Sequence, residues 1–233
     1  MKSSIIPILL TCASASLAHA DFNPVALTPG SYSFDIVVES NAPQALPYCI
    51  NATSGSGTSL GDNTYYEQGL YARIGQPGYN SGIPVHNTVF TNINDANMAF
   101  LMPPDYTTNN TLQLDSGLTT GTFIFNTPVT ATNLAILSGG AGAGTVSYTV
   151  NHSDASEDIG TINLSDWFDG GPLVAWGCNG RITAGGQYNN YNSSSVNNNN
   201  PFLYAYKITV SDASPITSIT FTFNSGNEQN FYA

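Results

Sequence analysis

Beyond Thr111 the chain falls into short apolar runs separated by turn residues, and this punctuation leaves little choice of fold. Leu112 and Leu114, then residues 122–125, 133–137, 144–150 and 160–164, follow one another roughly every dozen residues, with Gly, Pro, Asn or Asp between them. Alternating segments at 202–210 and 216–223 close the chain about a polar turn at 212–215. Strands of this length at this spacing are the pattern of an all-β, two-layer antiparallel β-sandwich. No stretch requires a helix, and no stretch repeats with a fixed period. The polar run 151–158 joins two alternating segments and reads as a hairpin turn.

The first hundred residues are less regular. Residues 31–40 place Tyr32, Phe34, Ile36 and Val38 against Ser33, Asp35, Val37 and Glu39, the two-residue period of a strand with one buried face. Residues 41–60, with Pro43, Pro47, Cys49, a Ser/Gly-rich run and a glycosylation-type triplet at Asn51-Ala52-Thr53, read as a long loop, and residues 75–84 as another. Short strands are expected at 65–71, 88–91 and 98–102, the last stopped by Pro103-Pro104. The combined expectation is one domain over 21–233 with long Gly/Asn-rich loops. Segments 31–40, 144–150, 203–210 and 216–223 lie in one sandwich whose core holds Phe34, Ile36, Ile208, Ile219 and Phe221.

Lys2, the apolar run 5–10 and the small residues ending Ala18-His19-Ala20 match a secretory signal peptide over 1–20. Lipidation at Cys12 is the alternative, for which Thr11 directly before the cysteine is a poor fit. The expected localisation is secreted or cell-surface. No later run approaches the roughly 20 apolar residues of a membrane span. Past the leader only Arg73, Arg181 and Lys207 are basic, against 15 acidic residues, which argues against nucleic acid as a partner. Cys49 and Cys178 remain, and two cysteines in an exported chain predict one disulfide, with two unpaired buried thiols as the alternative.

Residues 165–181 hold both tryptophans, Cys178 and Arg181, broken by Gly170-Gly171-Pro172 and bracketed by Gly177 and Gly180. They read as a pinned loop. Trp167 directly follows a strand and reads as core. Trp176 sits among glycines, where its ring would present a flat face to a sugar or cover the neighbouring sulfur. Asn179 and Arg181 follow at once, and Tyr188 and Tyr191 lie in an asparagine-rich stretch. Trp176, Asn179, Arg181, Tyr188 and Tyr191 are therefore the candidate ligand residues, with aromatic faces beside amide and guanidinium donors. Asp154, Ser156 and Asp158 alternate like oxygen ligands but lack the glycine and distal glutamate of a calcium loop. No metal or cofactor is expected.

The run Leu164-Ser165-Asp166-Trp167, the loop ending Asn179-Gly180-Arg181, and the closing segments 203–210 and 216–221 resemble the final half of galactose-binding-like jelly-roll domains. The start, Leu27-Thr28-Pro29-Gly30-Ser31-Tyr32, also looks like that of uncharacterised exported bacterial β-sandwiches. The resemblance covers less than half of the chain. It implies a two-sheet antiparallel jelly roll and, in some members, sugar or calcium binding, and it implies no catalysis.

No nucleophile elbow, zinc-protease motif or phosphate loop occurs. The leading expectation is an exported non-catalytic module for a neutral carbohydrate or a glycosylated surface. A structural or adhesive surface protein without a small ligand is the rival, and a glycoside hydrolase a distant third, since no two carboxylates stand out as a pair.

Overall fold

The structure, a computed structural model, describes residues 22–39, 49–50, 62–69, 82–178, 180–183, 188–189 and 200–233. Residues 1–20, expected to be a signal peptide, the triplet at Asn51 and most of the asparagine-rich stretch lie outside them. Strand is the dominant element: β1 (Asn63–Thr64), β2 (Val89–Asn92), β3 (Asp95–Leu101), β4 (Leu112–Leu114), β5 (Thr120–Val129), β6 (Asn133–Ser138), β7 (Gly144–His152), β8 (Glu157–Leu164), β9 (Val174–Gly177), β10 (Arg181–Thr183), β11 (Tyr188–Asn189), β12 (Phe202–Thr209), β13 (Ile216–Gly226) and β14 (Gln229–Phe231). A single 3-10 turn spans Pro29–Ser31.

Two antiparallel sheets form the body, one ordered β4-β14-β6-β12-β9 and the other β5-β13-β7-β8. The chain crosses between them at β4 to β5, β5 to β6, β6 to β7, β8 to β9, β12 to β13 and β13 to β14, which is jelly-roll connectivity. Alternation decides which side chains meet between the sheets. Leu134 and Ile136 of β6, Tyr204, Tyr206 and Ile208 of β12, and Phe231 of β14 face Phe123, Phe125, Val146, Val150, Ile162, Ile219 and Phe221 of the other sheet. Phe221 stacks on Phe231 with centroids 4.4 Å apart and meets Phe123 edge-on at 5.8 Å.

Their neighbours along β6, β12 and β9 point the other way and are covered as well. Ala135 and Leu137 of β6, Leu203 and Ala205 of β12, and Ala175 of β9 belong to a second apolar cluster with Ile36, Ile50, Tyr65, Ile83, Phe90, Met98, Phe100, Tyr106, Trp167 and Tyr232. The β2–β3 hairpin and the irregular segments of the first half thus form a third layer on that sheet. Here the expectation for 31–40 fails. Residues 31–39 make isolated bridges, Phe34 to Thr111 and Val38 to Tyr66, and form no strand of the sandwich. Ile36, Val37 and Val38 are all fully buried, which breaks the two-residue period, and Ile36 N–H donates to the Asn110 side chain at 3.2 Å. Phe34 and Ile36 pack in the second cluster; Ile208, Ile219 and Phe221 are in the sandwich core.

Residues 165–181 contain the short strand β9, where the sequence predicted only loop, and β10 opens at Arg181. Gly170 and Gly171 adopt φ of 67° and 98°, a left-handed turn open to glycine, and this returns the chain as β9. The disulfide expected between Cys49 and Cys178 is not formed: both are buried as thiols. Cys178 packs in the second cluster, where burial pushes its thiol far above the usual range. Its backbone N–H is tied to Pro201, while the carbonyl of Cys49 accepts from Gln113 Nε2 at 3.2 Å.

Candidate functional site

β9 is too short to flank β12. It pairs with Phe202, Leu203 and Tyr204 only, and Ala205 N–H then closes onto the Leu173 carbonyl at 2.8 Å. Peptide groups alternate sides along a strand, so those of Lys207 and Thr209 are aimed at the same flank, where among the described residues no strand follows. The space beside this edge is an open groove of about 850 Å³. Its floor is β12 from Ala205 to Thr209, one wall the β2–β3 turn at Asn92, Asn94 and Asp95, the other β8 at Thr161 and Asn163, and its end Pro172 and Leu173.

Local bonds hold these walls. The turn is clipped to β9 by Ile93 N–H to Ala175 O at 3.1 Å and by Asn94 Nδ2 to Val174 O at 2.9 Å. Lys207 Nζ meets Asp95 Oδ2 at 2.9 Å, and this bond, with the Asn97 N–H, holds Asp95 below the usual carboxylate range. Tyr148 enters from behind β8. It pairs with Gly160 across the β7–β8 hairpin, and a Cβ at Gly160 would collide with its phenol. Glycine therefore lets the ring cross the inner face of β8 and reach the groove.

Of the sequence-predicted ligand residues, Trp176 and Arg181 lie elsewhere. Trp176 is half-buried against the second cluster, meets Phe90 edge-on at 5.5 Å and donates its indole N–H to Gly82 O at 3.0 Å. Arg181 lies on β10 with its guanidinium over the rings of Phe168 at 5.2 Å and Trp167 at 5.8 Å. Trp167 is core, as its sequence position predicts. Tyr188 pairs through its backbone with Ile182; Asn179 and Tyr191 lie outside the described residues. The groove residues Asn94, Asp95, Tyr148, Gly160 and Lys207 escaped the sequence reading. One signal was present: Lys207 is the lone lysine past residue 2, and Gly160 falls opposite Tyr148 when the hairpin is folded about residues 153–156.

Two acidic clusters lie apart from the groove. In the turn 152–158, His152 Nδ1 meets Ser214 O at 2.8 Å and Nε2 meets Asp158 Oδ2 at 3.1 Å. Two oxygen acceptors require both ring nitrogens to donate, which is the imidazolium form. Burial opposes that charge, but these bonds and Asp212 hold the His152 value above its ordinary one. Asp154 accepts from Ser156 and Ser214, so the alternating oxygens of 154–158 are spent on turn bonds. Among the described residues no three His, Cys, Asp or Glu side chains are placed to hold a metal.

The other cluster is a nook of about 490 Å³ lined by Pro29, Tyr32, Asp35, Pro104, Thr108 and Asn109. Burial, with the charges of Glu39 and Asp105, lifts Asp35 to about 7. From 3.8 to about 7 the folded chain holds a proton that the unfolded chain has released, so stability falls as pH rises through that window. Asp35→Asn keeps the acceptor for Asn110 Nδ2 (2.7 Å) and removes the charge. It is expected to stabilise the protein at pH 8 by on the order of 1–2 kcal/mol, after discounting for the partly solvated carboxyl, and to change little at pH 4.5. Urea unfolding at the two pH values checks this.

No protein-family model matches the chain, and no curated protein sequence matches it.

Proposed function

We propose that this is an exported, non-catalytic jelly-roll module of galactose-binding-like type that holds a neutral carbohydrate in the groove beside β12. The observation that carries the reading is the chemistry of that groove. Amides from Asn92 and Asn94, the Thr209 hydroxyl, the Tyr148 ring and the β8 edge at Thr161 and Asn163 line it, a set suited to sugar hydroxyls and one apolar sugar face. Its single carboxylate, Asp95, is tied to Lys207, whereas glycoside hydrolysis needs an acid and a second carboxylate across the bond. Its open side suits a chain that runs through rather than a sealed small molecule.

The test is affinity electrophoresis and calorimetry against a panel of neutral polysaccharides, with variants at both candidate places. Lys207→Ala, and Gly160→Val, which displaces Tyr148, are each expected to weaken binding about tenfold, the loss of one charge-assisted bond or one ring contact. Trp176→Phe, which keeps the packing on Phe90, is expected to leave affinity unchanged. The reverse pattern would return the site to the Trp176 loop.

One observation favours the structural reading as a second. The outer face of the four-stranded sheet carries Thr122, Thr149, Thr161, Ser147, Ser218, Thr220 and Thr222 with no aromatic among them. At its β8 edge Ile159 is 75% exposed, and an open edge is a surface for assembly. Absence of binding to every glycan, together with concentration-dependent self-association lost in Ile159→Lys, would favour it.

A further inference from the structure

The other side of the five-stranded sheet carries a second slot, more enclosed than the groove. β14 meets β6 only at Phe231 and Ser138, with Leu137 N–H donating to Ala233 O at 2.7 Å and Tyr232 N–H to Leu137 O at 3.0 Å. Both peptide groups of Leu137 thus face β14. Beside the Asn133–Ile136 part of β6 lies an opening. A strap, residues 22–28, crosses this opening. Its start is pinned to the hairpin by Phe22 N–H to Asn97 O and Ala99 N–H to Phe22 O. Its end is pinned to β5 by Thr28 N–H to Ile124 O and Asn126 N–H to Ala26 O.

Between strap and sheets lies a cavity of about 280 Å³ walled by Val25, Leu27, Phe125, Val129, Ala131 and Leu134 among others, with Asn133 also in its lining. A dry apolar cavity of ~150 Å³ accepts benzene, so this one takes a molecule roughly twice that size. No charged side chain lines it, which disfavours a carboxylate or ammonium head. The Asn133 side chain supplies an amide at its edge.

We infer that this slot is a second binding site, separate from the groove, for a small uncharged amphiphile: an unbranched chain of about eight to ten carbons, sized from that comparison, ending in a single hydroxyl or amide. The apolar body fills the space under Val25 and Leu27, and the polar end meets the Asn133 amide.

The test is displacement of 1-aminoanthracene fluorescence from the purified chain by straight-chain primary alcohols of increasing length. Affinity is expected to peak near eight to ten carbons and to fall at least tenfold for much shorter or longer chains, since each buried methylene adds to binding until the slot is full. Ala131→Trp fills the slot from the sheet side and Val25→Trp from the strap side. Each is expected to cut the affinity at least tenfold, while Thr161→Ala in the groove leaves it unchanged; two fillers guard against one that misfolds. Binding to no alcohol, affinity that climbs steadily with length, or wild-type affinity in a folded filler variant would each overturn the proposal.

Discussion

Phe221→Ala is expected to lower the stability of the protein by about 3–5 kcal/mol, the cost of deleting a fully buried aromatic and leaving the cavity behind. Phe221 is inaccessible to solvent, stacks on Phe231 and meets Phe123 edge-on, so it joins β13 in one sheet to β14 and β5. Neither neighbour closes the space without leaving its own contacts. A loss of this size is a large share of the stability of a single domain, and chemical denaturation followed by circular dichroism measures it. A loss below about 1 kcal/mol would mean that the two sheets do not depend on this stack.

Tyr65→Ala should cost about as much, on the other side of the same sheet. The Tyr65 ring lies edge-on to Trp167 at 5.2 Å and to Tyr232 at 5.9 Å, and its hydroxyl donates to Phe202 O at 2.7 Å. The variant loses the buried ring, at about 3–5 kcal/mol, and leaves that carbonyl unpaired. Because the five-stranded sheet is buried on both faces, the two variants should lower one shared transition. Trp167 fluorescence reports the second cluster and circular dichroism the strands, and their curves should coincide in both proteins. Separate midpoints would show the third layer to unfold independently.

The sandwich was legible because its strands carry their own signal. In 144–150 and 216–223 apolar residues alternate, 133–138 and 202–209 are short apolar runs, and turn residues mark the ends of all four, so local pattern and tertiary role agree. β6 and β12 could have warned of the third layer, since Leu137 and Leu203 sit on the face that a two-layer sandwich leaves to solvent. The segment 31–39 misled for the opposite reason. Its alternation is real in the sequence, but three consecutive buried residues, Ile36 to Val38, are held by Asn110 and single bridges rather than by a ladder. β9 was hidden because four residues flanked by glycine carry no period of their own.

The candidate site was not legible, because it is made by where strands stop. The groove exists since β9 leaves β12 after Tyr204, and the slot since β14 touches β6 at a single pair. Strand pairing between residues far apart in the chain sets both, and no local pattern announces them. The buried thiols show the same limit: counting cysteines could not reveal that the second cluster would bury Cys178 as an apolar residue.

The claim that the groove beside β12 is the carbohydrate site is tested most directly by a heteronuclear NMR titration of the ¹⁵N-labelled chain with neutral oligosaccharides. The account predicts that the largest amide shifts fall at Asn94, Asp95, Asn163, Lys207 and Thr209, with Trp176 and Arg181 unmoved. Shifts centred on Trp176, Arg181 and Tyr188, or no shifts with any oligosaccharide, would contradict it.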